Sequence, residues 1–337
     1  MNQIDKPSHR LDAARALLGD MVLPVIAAPM FLVTGPDLVA AAAEARIAGV
    51  AASSSTRSPE EFDDWLGRID ERLDAYRRRT GLPTGPVAAN IGAPSRQRGD
   101  TPRYVRDLEF CRRRRVPLVI TVKGDPTGIV REVHGWGGLV FHDVTTLRHA
   151  EKAVEAGVDG LVLICGGGGG HSGVLSPFAF LPQVRRFFDG VVVLGGAVTD
   201  GSAIRAARAL GADLCYMGTR FIATRESIAP DAYKRMIVAS GSQEIVYTPV
   251  FTRGVNCHFM RRSIIDNGFD PDRLAELPGS APELFEARKP WRDLWSAGQG
   301  VGLIDDIPAV AELVERLRAE FHGEGPRAHA VWDKARG

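Results

Sequence analysis

Eight short apolar runs rich in β-branched residues recur along the chain, and stretches with helical spacing lie between them. The predicted strands are Pro24–Ala28, Gly49–Ser53, Pro86–Asn90, Pro117–Val122, Gly138–His142, Gly160–Cys165, Val191–Leu194 and Asp213–Met217. Predicted helices between them include Asp37–Ala48, Pro59–Arg79, Thr101–Arg115, Thr146–Ala156 and Gly201–Leu210. Strands that alternate with helices indicate parallel βαβ units. Eight such units are what a closed (β/α)8 barrel of the TIM type requires. A doubly wound open sheet is the competing architecture, disfavoured by the regular strand spacing and by the lack of a GxGxxG turn after the first strand.

The last unit is interrupted. Gly218-Thr219-Arg220-Phe221 follows the eighth strand, and about seventy residues rich in polar and helix-forming types come before Trp295-Ser296-Ala297-Gly298-Gln299-Gly300. Pro308–Phe321 then reads as an amphipathic helix with Val310, Leu313, Val314 and Leu317 on one face. The expected organisation is a barrel from residues 1–225 plus 295–322, a small mainly helical insertion over its mouth at 226–294, and a tail at 323–337.

Composition narrows the partners. The formal net charge of the 337 residues is +1, which gives no basic face for nucleic acid and no polyanion-binding character. Arg112–Arg115 reads as a solvated helix end. No apolar run approaches the roughly 20 residues that span a bilayer, and the amino terminus lacks the apolar core of a signal peptide. Four cysteines (Cys111, Cys165, Cys215, Cys257) are scattered without metal-ligand spacing, which points to free thiols, a cytoplasmic location and no metal site. Cys165 reads as packing, and Asp305 and Asp306 as capping charges before the last helix.

Barrel enzymes place their chemistry at the carboxyl ends of the strands. Ala28-Pro29-Met30 follows the first predicted strand, and Asn90 ends the third. Lys123 follows the fourth, and His142 closes the fifth. Gly195-Gly196 and Gly218-Thr219 follow the seventh and eighth, the usual barrel position for a phosphate held by backbone N–H groups. After the sixth comes Gly166-Gly167-Gly168-Gly169-Gly170-His171-Ser172-Gly173, a nearly bare loop that carries one imidazole. Glycine allows close approach to a flat ligand, and histidine suits proton transfer near neutral pH. His171 is therefore the candidate catalytic group, with His142 and Ser172 as candidate substrate contacts.

These segments resemble the nitronate monooxygenase family, FMN-binding (β/α)8 proteins. The matching stretches are Pro24–Met30, Gly166–Gly173, Leu194–Gly201, Ala209–Ser227 and Trp295–Asp306, in the family's order. The polar run Arg253-Gly254-Val255-Asn256 in the insertion resembles the family's substrate-side segment. The resemblance implies that Ala28, Pro29 and Met30 lie against the isoalloxazine ring, that Asn90 bonds its polar edge and that Gly169 packs nearby. It implies that Gly195, Gly196, Tyr216, Met217, Gly218 and Thr219 hold the ribityl phosphate, with Lys123 and Gln299 as further cofactor contacts. Two departures stand out: Ile164 occupies a position where the family often carries glutamine, and the loop is an uninterrupted glycine run.

The implied activity is FMN-dependent oxidation of a nitronate or nitroalkane by O2 to a carbonyl compound and nitrite. Enoyl-ACP reductases of the FMN barrel type resemble the same pattern, so an NAD(P)H-dependent enoyl reductase is the alternative, and a catalytically silent flavin-binding module is the third reading. The expected partners are a small nitro or nitronate molecule and O2, with no nucleic acid and no membrane; a homodimer is left open.

Overall fold

The side-chain alternation of the predicted strands is realised as a closed parallel barrel. The structure is a computed structural model that describes residues 7–94, 102–252, 254–277 and 288–324. Helix α1 (Pro7–Leu18) precedes β1 (Val25–Ala27), α2 (Pro36–Glu44), β2 (Ala48–Ala52), α3 (Pro59–Thr80) and β3 (Val87–Gly92). Then come α4 (Pro102–Arg113), β4 (Leu118–Val122), α5 (Thr127–Gly135), β5 (Leu139–Val144), α6 (Leu147–Glu155) and β6 (Gly160–Ile164). A two-residue strand β7 (Gly170–His171) and α7 (Pro177–Val184) lead to β8 (Val191–Gly195), α8 (Gly201–Leu210), β9 (Leu214–Met217) and the short turn α9 (Thr219–Ile222). The barrel order is β1-β2-β3-β4-β5-β6-β8-β9, and β9 pairs back onto β1. The eight-stranded expectation holds, and α5 and α7 are two connecting helices beyond those read from sequence.

Period-two alternation sorts the strand side chains into two cores. Ile26, Val50, Ala88, Leu118, Ile120, Phe141, Val162, Val193 and Tyr216 fill the barrel interior. Their neighbours, such as Val25, Ala89, Val119, Val140, Leu161 and Val192, face the helices. Ala14, Leu17 and Leu18 of α1 pack against the interior set and close the amino-terminal end, an element that the sequence reading does not assign.

Local signals set the helix limits. Ser58 caps α3 by accepting from the Glu61 N–H, Pro59 occupies the first turn, and Gly81 ends the helix in the left-handed region. Asp200 caps α8 through the Ala203 N–H at 2.8 Å.

The insertion carries α10 (Asp231–Ala239), β10 (Ile245–Thr248), β11 (Cys257–Met260) and α11 (Arg261–Asp266) among its described residues. Beside these two helices, β10 and β11 are strands that the sequence reading does not contain. They pair antiparallel with each other, and β11 also pairs antiparallel with β7. Arg253 of the predicted polar run, and most of the predicted tail, lie outside the described residues.

Helix α12 (Val310–His322) packs against both α8 and α2, which is the place of the eighth barrel helix. Its apolar face is the predicted one: Val310, Leu313, Val314 and Leu317 are buried. The approach to α8 depends on Gly201, where a Cβ would lie 2.3 Å from the Phe321 backbone nitrogen. Helix propensity favours Gly201→Ala by up to about 1 kcal/mol, whereas overpacking against rigid backbone costs about 1–3 kcal/mol. We expect packing to win, with stability reduced by about 2 kcal/mol in urea denaturation; an unchanged midpoint would show that α12 is free to shift.

Candidate active site

A cavity of about 530 Å³ opens at the carboxyl ends of the strands, within the range of small-molecule sites. Its floor is the top layer of inward-facing strand residues: Asn90, Val122, Asp143, Ile164, Gly195 and Tyr216. Ala28, Pro29 and Met30 line it from the end of β1, and Gly218 and Thr219 from the end of β9. Strand parity separates the remaining candidates. His142 lies one residue from both Phe141 and Asp143, so it faces the helices, where its Nδ1 bonds the Thr121 hydroxyl at 2.7 Å. Burial lowers its pKa to about 4, so it is neutral and does not line the cavity. The expected substrate contact at His142 is therefore corrected to a neutral packing residue. Met217 is corrected likewise: it is fully buried in the outer core and lies behind the cavity wall.

The loops that follow β8 and β9 line the cavity and have an uncommon backbone. Gly196 has φ 129° and Ala197 φ 55°, two successive residues outside the ordinary right-handed region. Both line the cavity beside Thr219, whose Oγ1 accepts from the Gly298 N–H at 2.9 Å. The glycine run interlocks with the same segment. A Cβ on Gly169 would lie 2.9 Å from the Gly298 nitrogen, and the Gln299 N–H donates to the Gly167 carbonyl at 2.9 Å. Gln299 does not line the cavity and supports the glycine loop. Nearby, Arg220 is buried and pairs with Asp306, which also binds Arg316. That ion-pair cluster, and not helix capping, is the role of Asp306; Arg316 chiefly holds its pKa below the usual carboxylate value.

His171 is positioned by the insertion. It sits on β7 opposite Cys257, and Gly170 sits opposite His258. The His171 ring tilts against Trp291 with centroids 5.1 Å apart, and Trp291 meets Phe31 edge-on at 6.2 Å. These three line the cavity and form its aromatic mouth. Ser172 points the other way: its hydroxyl meets Nδ1 of His258 at 3.0 Å, and Tyr247 packs on the His258 ring. Burial lowers the His258 pKa, opposed by a hydrogen bond to the Gly168 carbonyl. His258 thus ties Gly168 to Ser172 across the loop that carries His171. No local signal marks His258, because its partners lie more than eighty residues away in the chain.

Lys123 and Asn90 provide fixed polarity. Lys123 lines the cavity from a left-handed backbone (φ 62°), strain of the kind that gathers at functional positions. Burial raises the pKa of Cys257, the strand partner of His171, and the Lys123 charge is a lesser opposing influence. In the barrel order its strand β4 is diametrically opposite β9. The Asn90 amide donates to the Ile120 carbonyl at 3.1 Å, which fixes the side chain in the floor. Cys165 is buried with its pKa raised to about 12, the state of an inert packing thiol.

Two floor groups are unmet: Asp143 Oδ1 and the Tyr216 hydroxyl are enclosed with no hydrogen-bond partner. Burial alone raises the Asp143 pKa to about 8, and burial followed by the nearby Asp143 raises that of Tyr216. Buried polar atoms are normally satisfied. Their presence in a floor of glycine and apolar side chains suits a polar-edged ring above them. Among the described residues, no cluster of three or more His, Cys, Asp or Glu side chains could hold a metal ion. Among the same residues, no helix is long and apolar enough to cross a membrane.

The barrel, the left-handed backbone at Gly196 and Ala197 and the histidine beside a ring-sized cavity are the geometry of a small-molecule site at the carboxyl ends of a barrel. The chain matches the nitronate monooxygenase family over residues 15–320 and belongs to that family. A nitronate monooxygenase of Neurospora crassa is 26% identical over 350 aligned positions, covering 88% of each chain. An octahydroindene-carboxyl-CoA dehydrogenase of Rhodococcus jostii is 30% identical over 221 positions, 66% of this chain and 58% of that protein's own length. The structure of FabK from Thermotoga maritima superposes with TM-score 0.74 at 27% identity, covering 96% of this chain and 98% of that one. The family is one of oxidoreductases, and a flavin is the cofactor class it implies.

Asp143 also makes a stability prediction. Its folded pKa is raised, so the folded chain binds more protons than the unfolded chain until pH passes about 8, and stability falls as pH rises toward that value. His142, with its lowered pKa, acts in the opposite direction but only below about pH 6.5. Between pH 6.5 and 8, flavin-free Asp143→Leu should gain on the parent by up to about 1.4 kcal/mol per pH unit. Urea denaturation at the two pH values checks this; parallel behaviour of both proteins would contradict a protonated Asp143.

Proposed function

We propose that the protein is an FMN-dependent enzyme that oxidises nitronates or nitroalkanes with O2 to a carbonyl compound and nitrite. The reading is supported above all by the position of His171, held by an added antiparallel sheet against Trp291 at the mouth of a cavity that the loops after β8 and β9 also line. Gly195, Gly196, Ala197, Gly218 and Thr219 would hold the phosphate, and Ala28, Pro29, Met30, Asn90 and Gly169 would lie around the ring. Bound FMN would supply the electron acceptor that the side chains lack.

The chain's own groups have separable tasks in this reading. As neutral imidazole, His171 takes the α-proton of a nitroalkane; as imidazolium, it holds the nitronate anion. Lys123 adds positive charge to the cavity lining. Trp291 and Phe31 shield the reacting carbon from water. Ser172 bonds His258, so its task is to keep the loop in place. His171→Ala should retain flavin and lose about 10²–10⁴-fold in turnover, since that is the usual contribution of a positioned acid or base. Turnover within threefold of the parent would remove His171 from the mechanism.

An NAD(P)H-dependent enoyl reductase uses the same cavity, and the likeness to FabK supports that second reading. The named relative from Rhodococcus jostii, a CoA-thioester dehydrogenase, extends it to other hydride donors. Anaerobic titration separates the three: flavin bleaching by an alkyl nitronate favours the oxidase, bleaching by NAD(P)H the reductase, and bleaching by a hydroxyacyl-CoA the dehydrogenase.

A further inference from the structure

Near the end of the insertion the chain turns at Trp291, which has φ 65°, a left-handed conformation that bulky residues rarely adopt. Strain of this kind persists only where the surrounding structure fixes it. The turn is fixed by its own bonds and by the insertion. The Trp291 N–H donates to the Leu294 carbonyl at 2.8 Å, and the Lys289 N–H donates to the Asp293 carboxylate at 2.8 Å. The Asp293 N–H donates back to the Lys289 carbonyl at 2.9 Å, and the Asn267 amide donates to the Asp293 carbonyl at 2.9 Å. Leu294 is fully buried with Phe259 and Ile264 in the apolar core of the insertion, and Trp291 packs against that core.

The indole held by this turn fills the space beside His171. Their ring centroids are 5.1 Å apart with 39° between the planes, the separation of rings in contact. The same indole meets Phe31 edge-on at 6.2 Å and Phe259 at 6.5 Å. Its Nε1 stands 4.0 Å from where a Gly170 Cβ would lie, so it rests on the bare loop that carries His171. His171, Trp291 and Phe31 all line the cavity, in an unbroken aromatic row. A ring packed against three others, on a turn fixed by its neighbours, cannot swing aside for a larger ligand. Phe31 is 42% exposed, so Trp291 is the fixed member of the pair.

We propose that Trp291 is a specificity-determining residue, a fixed wall beside His171 that admits small nitronates and excludes those whose reacting carbon bears a bulky or aryl group. This rests on the reading of His171 as the group that meets the substrate. An anion held at His171 must direct its substituent away from the indole, because the contact between the two rings leaves no space for a group between them. Shortening Trp291 opens that side, whereas the substrate's charged end still meets the same imidazole.

The test uses the full chain with flavin bound and compares the nitronates of nitroethane and phenylnitromethane. The parent should favour the smaller one in kcat/KM. Trp291→Ala should raise the phenyl-to-ethyl ratio at least about tenfold, since room for a single methylene already changes discrimination about 10–200-fold. Trp291→Phe keeps an aromatic ring and should raise the ratio by less; it decides the question if the alanine variant does not fold. A second readout needs no turnover. Phenylacetate and propanoate, unreactive carboxylates that share the planar anionic head of the two nitronates, are titrated against the flavin absorption band. Trp291→Ala should shift the ratio of their dissociation constants in the same direction. A purely structural role would weaken both members of each pair in parallel, so an unchanged ratio would overturn the assignment. A ratio that moves toward the smaller ligand would also overturn it, because Trp291 would then grip the substituent. Carboxylates that bind none of the proteins would count against it equally. A parent that oxidises no nitronate but shows the carboxylate shift would remove the oxidase reading and leave the wall in place.

Discussion

The two-residue period of eight parallel strands is the constraint on which the molecule depends. Each strand must send alternate side chains into the barrel and out to the helices, and the top inward position of each strand becomes a tile in the cavity floor. Asn90, Val122, Asp143, Ile164, Gly195 and Tyr216 occupy those tiles. A shift of one residue decides a group's fate. His142 and Met217 are immediate neighbours of two tiles, and they face the other core. Packing therefore determines which polar groups can meet a ligand.

A loop of successive glycines has few side chains of its own to hold it, and ordering it costs more entropy than ordering other residues. The structure meets that cost from outside the loop. β7 joins β11 and β10, Ser296 accepts from the Gly170 N–H at 2.8 Å, and Gly298 and Gln299 pack under Gly167 and Gly169. His258 closes the arrangement through Ser172 and Gly168. The insertion is thus part of the machinery that aims His171, as well as a cover over the mouth.

Burial without a charge partner is the recurrent electrostatic device of the site. It lowers the pKa of His142 and His258 and raises that of Asp143 and Tyr216, so all four favour their neutral forms near pH 7. A floor of neutral donors and acceptors suits a ring whose polar edge is uncharged. Fixed charge is kept to the rim, at Lys123, and to the Arg220–Asp306–Arg316 cluster behind the wall.

The barrel and the glycine turns after β8 and β9 were legible in the sequence because they rest on local signals. Hydrophobic runs of strand length, glycine after Val193-Leu194 and after Met217, and the apolar face of Val310–Leu317 each depend on residues close together in the chain. The helical insertion was legible as a break in that rhythm. What the chain order could not express was pairing at long range: β11 against β7, His258 against Ser172, and Asp306 with Arg220. Nor could it separate Asp143 from His142, since their difference is one of strand parity relative to a closed cylinder. Local preference is written in neighbouring residues, whereas the direction of a side chain and the polarity around it exist only after distant strands have met.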